Sequence, residues 1–293
     1  QERQSSRDRW MVELRANPGR VRNPPGVGKD EITYDLIYLF REIDGDGIKT
    51  SRTVGANWQA LEPVFGREVA LAYRDAVVQL WRHFKPELQS ETGSRGSSVP
   101  YALMLAMAGL EIESTENEVF AEGLNESEVV QALRYITWEI NGFPSWFEQI
   151  HRVFPKIAEN ALSKELSWEL DNTGSQRLPH SVLHDVVYHG TWLHDAMAPR
   201  LLDWLRRNPG ALKANINEVI NILVSGGIDA PVMASIAAKE TSLCTDPMVA
   251  ANWYAVLVDC DPSKGIAQLQ NWLSGLDSAE AELAAQRFIT QLI

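Results

Sequence analysis

The chain has 293 residues, of which 45% are hydrophobic and 23% are charged, values that are typical of a folded protein and exclude a disordered one. Its formal net charge of −12 opposes binding to phosphate backbones or anionic lipids, so neither nucleic acid nor a membrane surface is an expected partner. No apolar run reaches the roughly 18–20 residues that a membrane span requires.

Residues 1–95 are predicted to form an irregular helical segment. Residues 30–41 place apolar side chains on one face behind an acidic residue, Asp30, which predicts an amphipathic helix with an N-terminal cap. Residues 66–87 repeat apolar side chains at intervals of three and four, which predicts a longer helix that Lys85-Pro86 ends or kinks. Residues 88–98 are polar and rich in glycine and serine, which predicts a linker.

Residues 96–293 are predicted to form a helical repeat, because prolines recur between pairs of helical patterns. These prolines are Pro155, Pro199, Pro231 and Pro262. Their spacings are 44, 32 and 31 residues, and an amphipathic helix follows each one. Helix pairs at such periods are typical of α-solenoids. We therefore predict an all-α fold, an α-solenoid of irregular HEAT/TPR-like helix pairs, with an irregular helical bundle as the alternative.

Tryptophans are predicted to fill the spaces between these helices. Three of them precede a repeat proline: Trp146, Trp192 and Trp253. Four others fall on apolar helix faces: Trp81, Trp138, Trp204 and Trp272. We expect the first three to be buried, so that Trp192→Ala lowers the free energy of unfolding by roughly 3–5 kcal/mol.

The sequence NPPGVGKDE at residues 23–31 partly resembles a phosphate-binding loop. That loop needs a glycine, four residues and then Gly-Lys-Ser/Thr, because backbone amides hold the phosphate and the hydroxyl holds Mg²⁺. Here Asn23 replaces the first glycine, and Asp30, which repels phosphate, replaces the hydroxyl residue. We therefore do not expect nucleotide binding at this loop.

The sequence IDGDGIKTS at residues 43–51 resembles half of an EF-hand. A calcium loop needs a bidentate carboxylate at its twelfth position. That position falls on Gly55 when Asp44 is counted as the first, and on Asn57 when Asp46 is. An ordinary turn rich in Asp and Gly is the expected structure.

Histidines and aspartates are concentrated in LPHSVLHDVVYHGTWLHD, residues 178–195. The potential metal ligands are His180, His184, Asp185, His189, His194 and Asp195, with His151 upstream. Such His-Asp pairs hold the metal of HD-type phosphohydrolases, where imidazoles and a carboxylate converge on a divalent ion that activates water. The sequence has no HExxH pattern, however, and His189-Gly190 is typical of a helix C-terminus. Capping and surface roles are the preferred interpretation, with metal binding as the alternative.

Cys244 and Cys260 are the two cysteines of the chain. Two thiols cannot form a four-cysteine zinc site, and a chain of this length does not need a disulfide to fold. The first residues, QERQSSRDRW, lack the apolar core of a signal peptide. We expect free, reduced, buried thiols in a cytoplasmic protein.

Two passages resemble one protein family. FGREVALAYRDAVVQLWRHFKPELQSE at residues 65–91, followed by MLAMAGLEIES at 104–114, is the first, and ALRYITWEINGFPSWFEQIHRVFPKIAENALSKELSWEL at 132–170 is the second. Together they cover roughly a third of the chain. They are similar to the helical region of large bacterial NTPases of the STAND type, often with a NACHT-like ATPase, some associated with anti-phage defence. The resemblance implies an ATPase elsewhere in the parent chain and a sensing or assembly role here, and no catalytic residue of the family maps onto this chain.

We expect the chain to be a domain fragment, because it begins without Met and ends in the apolar pattern RFITQLI. The predicted function is a non-enzymatic protein-interaction, sensor or scaffold module that binds a polypeptide or packs on domains of its own parent chain. No catalytic, cofactor-binding or metal-binding residue is expected. The alternatives are an HD-like metal-dependent phosphohydrolase that uses the 180–195 cluster, and a structural spacer.

Overall fold

The computed structural model describes residues 2–45, 52–93, 99–139, 142–172, 181–212 and 214–292. Within these ranges every regular element is helical and no strand occurs, so the predicted all-α class is confirmed. The solenoid arrangement stays a prediction. In the same ranges, no helix combines the length and the apolar character that crossing a membrane requires. The EF-hand-like segment falls mostly on residues 46–51, which lie outside the described residues.

The chain divides into two compact units, residues 1–162 and residues 163–293. The α-helices that begin in unit 1 are α1 (Glu2–Ala16), α2 (Gly19–Arg22), α3 (Tyr34–Asp44), α4 (Glu62–Phe65), α5 (Arg67–His83), α6 (Gln89–Thr92), α7 (Tyr101–Glu116), α8 (Glu126–Leu133), α9 (Ser145–Val153) and α10 (Pro155–Asn172). Those of unit 2 are α11 (Val182–His189), α12 (His194–Arg207), α13 (Ile216–Ser225), α14 (Ala230–Leu243), α15 (Pro247–Cys260), α16 (Pro262–Ser274) and α17 (Ser278–Leu292). Short 3-10 helices cover Val54–Ala56, Trp58–Leu61, Ala121–Gly123, Ile136–Trp138 and Thr191–Leu193.

The core of unit 1 is built on α5 and α7, which form the most extensive helix–helix contact among the described residues. Gly109 permits their close approach, because a Cβ atom at this position would lie only 1.9 Å from the carbonyl oxygen of Val77. Trp81 is fully buried, and its Nε1 donates to Glu113 Oε2 on α7 at 2.8 Å. Arg82 donates to the same carboxylate at 2.6 Å, so a polar link adds to the packing between the two helices.

These two helices lie on opposite sides of the predicted domain boundary at residue 95, yet they pack in one compact unit. Part of the predicted linker is also ordered, since residues Gln89–Thr92 form α6. Arg134 holds this turn by donating to the Glu91 carboxylate at 2.6 Å. The compact units therefore divide at residue 162, and the domain limits 1–95 and 96–293 stay a prediction of where the repetitive pattern begins.

Helix α3 begins at Tyr34, four residues after its predicted start at Asp30. The hydroxyl oxygen of Thr33 accepts a hydrogen bond from the N–H of Leu36 at 3.3 Å, and this bond satisfies one of the free donors of the first turn. The predicted acidic cap is therefore wrong, because a threonine nearer to the apolar run caps the helix.

The core of unit 2 surrounds α15, in which residues 249–257 are all buried. This helix packs against α14, α16 and α17. Gly265 of α16 allows the closest approach, because a Cβ atom there would lie 2.7 Å from the Cα atom of Val258. Trp253 is fully buried, as the sequence predicts.

The proline pattern is confirmed at three positions and wrong at one. Pro155 and Pro262 are the first residues of α10 and α16, and Pro231 lies in the first turn of α14. Pro199 instead lies inside α12. Proline lacks the N–H that would bond the carbonyl four residues earlier, yet α12 continues through Pro199 with buried residues on both sides of it, among them Ala198 and Leu201. The regular spacing that favoured a solenoid is therefore interrupted at this point.

Most of the tryptophans that were predicted to fill the core are buried. Trp146 and Trp253 are at most 1% exposed, and Trp81, Trp138 and Trp204 are also buried. Trp192 is only partly buried and lies in the 3-10 helix Thr191–Leu193, directly before α12. Its burial is less complete than that of Trp146 and Trp253, because it lies in a short 3-10 helix between α11 and α12.

Candidate functional site

The histidine-rich segment forms helix α11 and the beginning of α12. Ser181 caps α11 by accepting a hydrogen bond from the N–H of His184 at 3.2 Å. The helix ends at His189, with Gly190 as its C-cap residue, so the predicted helix C-terminus is confirmed. His180 lies outside the described residues.

Three of the predicted ligands come together on α11. The ligand atoms of His184, Asp185 and His189 all lie within 4.8 Å of one another. His184 Nδ1 is 3.9 Å from Asp185 Oδ1, and the two imidazole centroids are 6.1 Å apart. Asp185 is buried, while both histidines are exposed. This His-Asp-His cluster therefore has a fixed carboxylate and two imidazoles that are open to solvent.

The other predicted ligands do not join this cluster. His194 is buried at the start of α12, and its Nε2 lies 3.0 Å from the carbonyl oxygen of Val186. Asp195 is exposed in the first turn of α12, where a carboxylate interacts favourably with the helix dipole. His151 belongs to unit 1, and its Nε2 is 3.4 Å from Glu159 Oε1. The arrangement expected of an HD-type centre is thus assembled only in part among the described residues.

A second candidate site, which the sequence did not predict, is a groove between α1 and α3 in unit 1. We call it the aromatic groove. Its volume is about 1000 Å³. Its lining residues are Ser6, Arg7, Trp10, Tyr34, Asp35, Tyr38, Arg41 and Glu42. Tyr34 is 80% exposed and Tyr38 is 50% exposed, so two large aromatic faces of the groove are available to a partner.

Hydrogen bonds fix one wall of the aromatic groove. Trp10 Nε1 donates to Asp35 Oδ1 at 2.8 Å, and Arg20 Nε donates to Asp35 Oδ2 at 2.8 Å. The hydrogen bond to Asp35 raises the pKa of Arg20. The indole of Trp10 also makes edge contacts with Tyr38 and with Phe65, at centroid distances of 5.8 and 5.4 Å. The Trp10 ring is therefore held in place from several directions.

The cations of the aromatic groove differ in their partners. Arg7 donates to both oxygens of Glu42, at 3.1 and 2.7 Å, and these hydrogen bonds raise the pKa of Arg7. Arg41 donates through Nε to the hydroxyl oxygen of Tyr101 at 3.0 Å. Its guanidinium carbon lies 5.8 Å from the ring centre of Tyr38 and 5.2 Å from that of Tyr101. Among the described residues no carboxylate pairs with Arg41, so its positive charge is available to an anionic group.

The sequence contained one signal for this groove. Tyr34 and Tyr38 are four residues apart, so they lie on the same side of α3. Leu36, Leu39 and Phe40 form the apolar face of that helix and are buried. Tyr34 and Tyr38 are exposed and do not belong to this buried face. Their exposure is the feature that points to a binding surface.

The phosphate-loop-like segment uses one of its own amides internally. The N–H of Gly28 donates to Glu31 Oε2 at 3.0 Å. A carboxylate thus lies where a phosphate oxygen would be held, and a carboxylate repels phosphate. The absence of nucleotide binding at this loop stays a prediction.

The two cysteines are free and partly buried. Burial is the main cause that raises the pKa of Cys244, to about 11, with Glu240 and Asp246 adding to it. Burial also raises the pKa of Cys260, with a contribution from Asp259. A thiol nucleophile reacts as the thiolate, so both groups are poorly suited to nucleophilic catalysis at neutral pH.

The described residues thus contain two candidate sites, the aromatic groove of unit 1 and the His-Asp-His cluster of unit 2. Comparison with family models, with curated proteins and with solved structures gives no match to this chain.

Proposed function

We propose that this chain is a non-enzymatic protein-interaction module that binds a polypeptide of another protein in the aromatic groove. The observation that carries the proposal is the combination of Trp10, Tyr34, Tyr38 and Arg41 on one exposed surface. Tryptophan, tyrosine and arginine are the residue types most enriched among the residues that dominate binding energy in protein interfaces. Because the Trp10 ring is already held by Asp35 and Tyr38, it loses little conformational entropy when a partner binds.

The chemistry of the groove defines the partner. Tyr34 and Tyr38 offer apolar ring faces, which suit an aromatic or aliphatic side chain. Arg41 offers guanidinium donors without a carboxylate partner among the described residues, which suits an Asp, Glu or terminal carboxylate. The expected ligand is therefore a peptide segment that carries an apolar anchor next to an acidic group.

The net charge of −12 repels an acidic ligand, but only at long range. Charges beyond about 8–10 Å are screened at physiological salt, so the residues of the groove itself set the potential that a bound ligand meets. Arg7 and Arg20 are each paired with an acidic residue. Arg41 is then the charge that an incoming carboxylate meets.

The test is a selection of binding peptides from a random display library on the immobilised full chain. We expect enrichment of sequences that contain an aromatic or aliphatic residue beside Asp or Glu. Binding of a selected peptide, measured by fluorescence anisotropy, should weaken by roughly tenfold or more in Tyr38→Ala and in Arg41→Gln, a loss above 1 kcal/mol that marks a dominant interface residue.

Tyr188→Ala is the matched control, because Tyr188 is an exposed tyrosine of unit 2 and should leave peptide affinity unchanged. Failure to enrich any peptide, or equal binding to Tyr38→Ala and to the unaltered chain, would contradict the proposal. Equal affinity for an uncharged version of the selected peptide would contradict the role given to Arg41.

The parent protein is proposed to be a cytoplasmic bacterial NTPase of the STAND type, in which this helical region senses a protein or supports assembly. The resemblance of residues 65–91, 104–114 and 132–170 supports this context. This context is tested by the gene from which the chain comes. We expect the same polypeptide to contain a nucleotide-binding domain. An open reading frame without such a domain would refute this part of the proposal.

The HD-like phosphohydrolase is the weaker candidate. Its metal centre would need His194, but the imidazole of His194 is engaged with the Val186 carbonyl at 3.0 Å. We expect no hydrolysis of p-nitrophenyl phosphate in the presence of Mn²⁺, Zn²⁺ or Fe²⁺. Turnover that is lost in His184→Ala would reverse the order of the two candidates.

A further inference from the structure

We propose that α11 carries a binding site for one divalent transition-metal ion, Zn²⁺ by its ligand chemistry, formed by His184, Asp185 and His189. This site lies in unit 2 and is independent of the aromatic groove. Its three ligand atoms lie within 4.8 Å of one another, which is the closest approach to a metal-binding arrangement among the described histidines and carboxylates.

The ligand types select the class of metal. Two imidazoles and one carboxylate form a borderline set that suits Zn²⁺, Co²⁺ or Ni²⁺. Calcium and magnesium take oxygen ligands almost exclusively, so two imidazoles in a set of three argue against both ions. The site is therefore assigned to a transition metal.

Helical spacing explains why these three residues converge. Asp185 and His189 are four residues apart and share one side of α11. His184 precedes Asp185 directly, and its Nδ1 lies 3.9 Å from the carboxylate. Because His189 is the last residue of α11, the carbonyl groups of the final turn add negative potential at this end of the helix. That potential favours a cation beside His189.

Metal binding requires only a small decrease in the distances between the three ligand atoms. Zn–N and Zn–O bonds of about 2.0–2.2 Å place tetrahedral ligand atoms roughly 3.3–3.6 Å apart, against the 4.8 Å within which the three atoms now lie. His184 and His189 are exposed, so rotation of their side chains is free to shorten these distances. Asp185 is buried and serves as the fixed ligand toward which the imidazoles move.

The neighbourhood of the cluster leaves one coordination position open. The ring of Tyr188 packs on His184 with a centroid distance of 4.5 Å, so it covers one face of this imidazole. Three protein ligands on an exposed surface leave the fourth tetrahedral position to a water molecule or to a group from outside. The site is thus of the three-ligand type and not a closed structural centre.

The test uses the full chain without a histidine tag, with ZnCl₂ as the probe in isothermal titration calorimetry and in dialysis followed by elemental analysis. One Zn²⁺ per chain is expected. His184→Ala and His189→Ala should each weaken binding by more than ~10-fold, the lower end of the loss that even outer-shell substitutions cause. Both histidines are exposed, so neither variant is expected to unfold the protein, and circular dichroism checks this.

His83→Ala is the matched control, because His83 is an exposed histidine of unit 1 and should leave Zn²⁺ affinity unchanged. Titration with CoCl₂ gives a second readout, in which visible absorption bands without a thiolate charge-transfer band are expected. Absence of Zn²⁺ uptake, uptake that survives both histidine substitutions, or a thiolate band that disappears in Cys244→Ser would overturn the assignment. None of these results bears on peptide binding at the aromatic groove.

Discussion

Gly109→Ala tests the contact on which unit 1 is built. Alanine is the better helix former, by about 1 kcal/mol, so the substitution would stabilise an isolated α7. In the folded protein its Cβ atom would lie 1.9 Å from the carbonyl oxygen of Val77, whereas an ordinary contact begins at about 3.4 Å. The obstacle is backbone, which cannot rotate away. Helices α5 and α7 must therefore separate by about 1.5 Å.

The magnitude follows from the two opposing effects. Overpacking of this kind costs about 1–3 kcal/mol, and a clash with backbone lies at the upper end. After the gain in helix propensity, a net loss of about 2 kcal/mol remains. For a unit of 162 residues this corresponds to a decrease in Tm of about 4–8 °C.

The assay is thermal unfolding followed by circular dichroism and by tryptophan fluorescence, which reports on the environment of Trp81. Gly123→Ala is the control, because a Cβ atom there has no heavy atom within 4 Å, and its Tm should change by less than about 2 °C. If Gly109→Ala were as stable as the unaltered chain, the close approach of α5 and α7 would be refuted.

Three further predictions concern unit 2. Trp204→Ala should lower the free energy of unfolding by about 3–5 kcal/mol, because the Trp204 ring is buried. Trp192→Ala should lower it clearly less, because the Trp192 ring is partly exposed. Chemical denaturation of both variants measures the two losses. Burial raises the pKa of the Glu240 carboxyl group in the folded protein. As pH rises, the unfolded state therefore loses the Glu240 proton first. The free energy of unfolding should then fall between the ordinary glutamate pKa and the raised pKa of the folded state. Glu240→Gln should flatten this part of the curve of Tm against pH. With Cys260→Ser in place, Cys244, whose pKa burial raises to about 11, should react with a disulfide reagent at neutral pH at least ~10-fold more slowly than free cysteine.

Each of these three predictions would be contradicted by one result. Equal losses in Trp204→Ala and Trp192→Ala would mean that the partial exposure of Trp192 is wrong. A curve of Tm against pH that Glu240→Gln leaves unchanged would contradict the burial of that carboxyl group. Rapid modification of Cys244 would contradict the raised pKa of its partly buried thiol.

The helices themselves were largely predictable, because apolar periodicity is a local property of the sequence. Residues 66–87 predicted α5, which spans Arg67–His83. The errors arose where a nearby contact outweighed the local pattern. Thr33 displaced Asp30 as the cap of α3, and Pro199 was accommodated inside α12, although its sequence context resembles that of the prolines that begin helices.

The two candidate sites also depend partly on local helical spacing and partly on tertiary contacts. Helical spacing is enough to put Asp185 and His189 on one side of α11, and Tyr34 and Tyr38 on one side of α3, since residues four apart on a helix share a side. Only the tertiary structure separated His194 from the cluster, because its ring contacts the Val186 carbonyl oxygen of the preceding helix at 3.0 Å. Only the tertiary structure placed Trp10 against Asp35 and Tyr38, because no sequence periodicity relates residues that lie on two different helices.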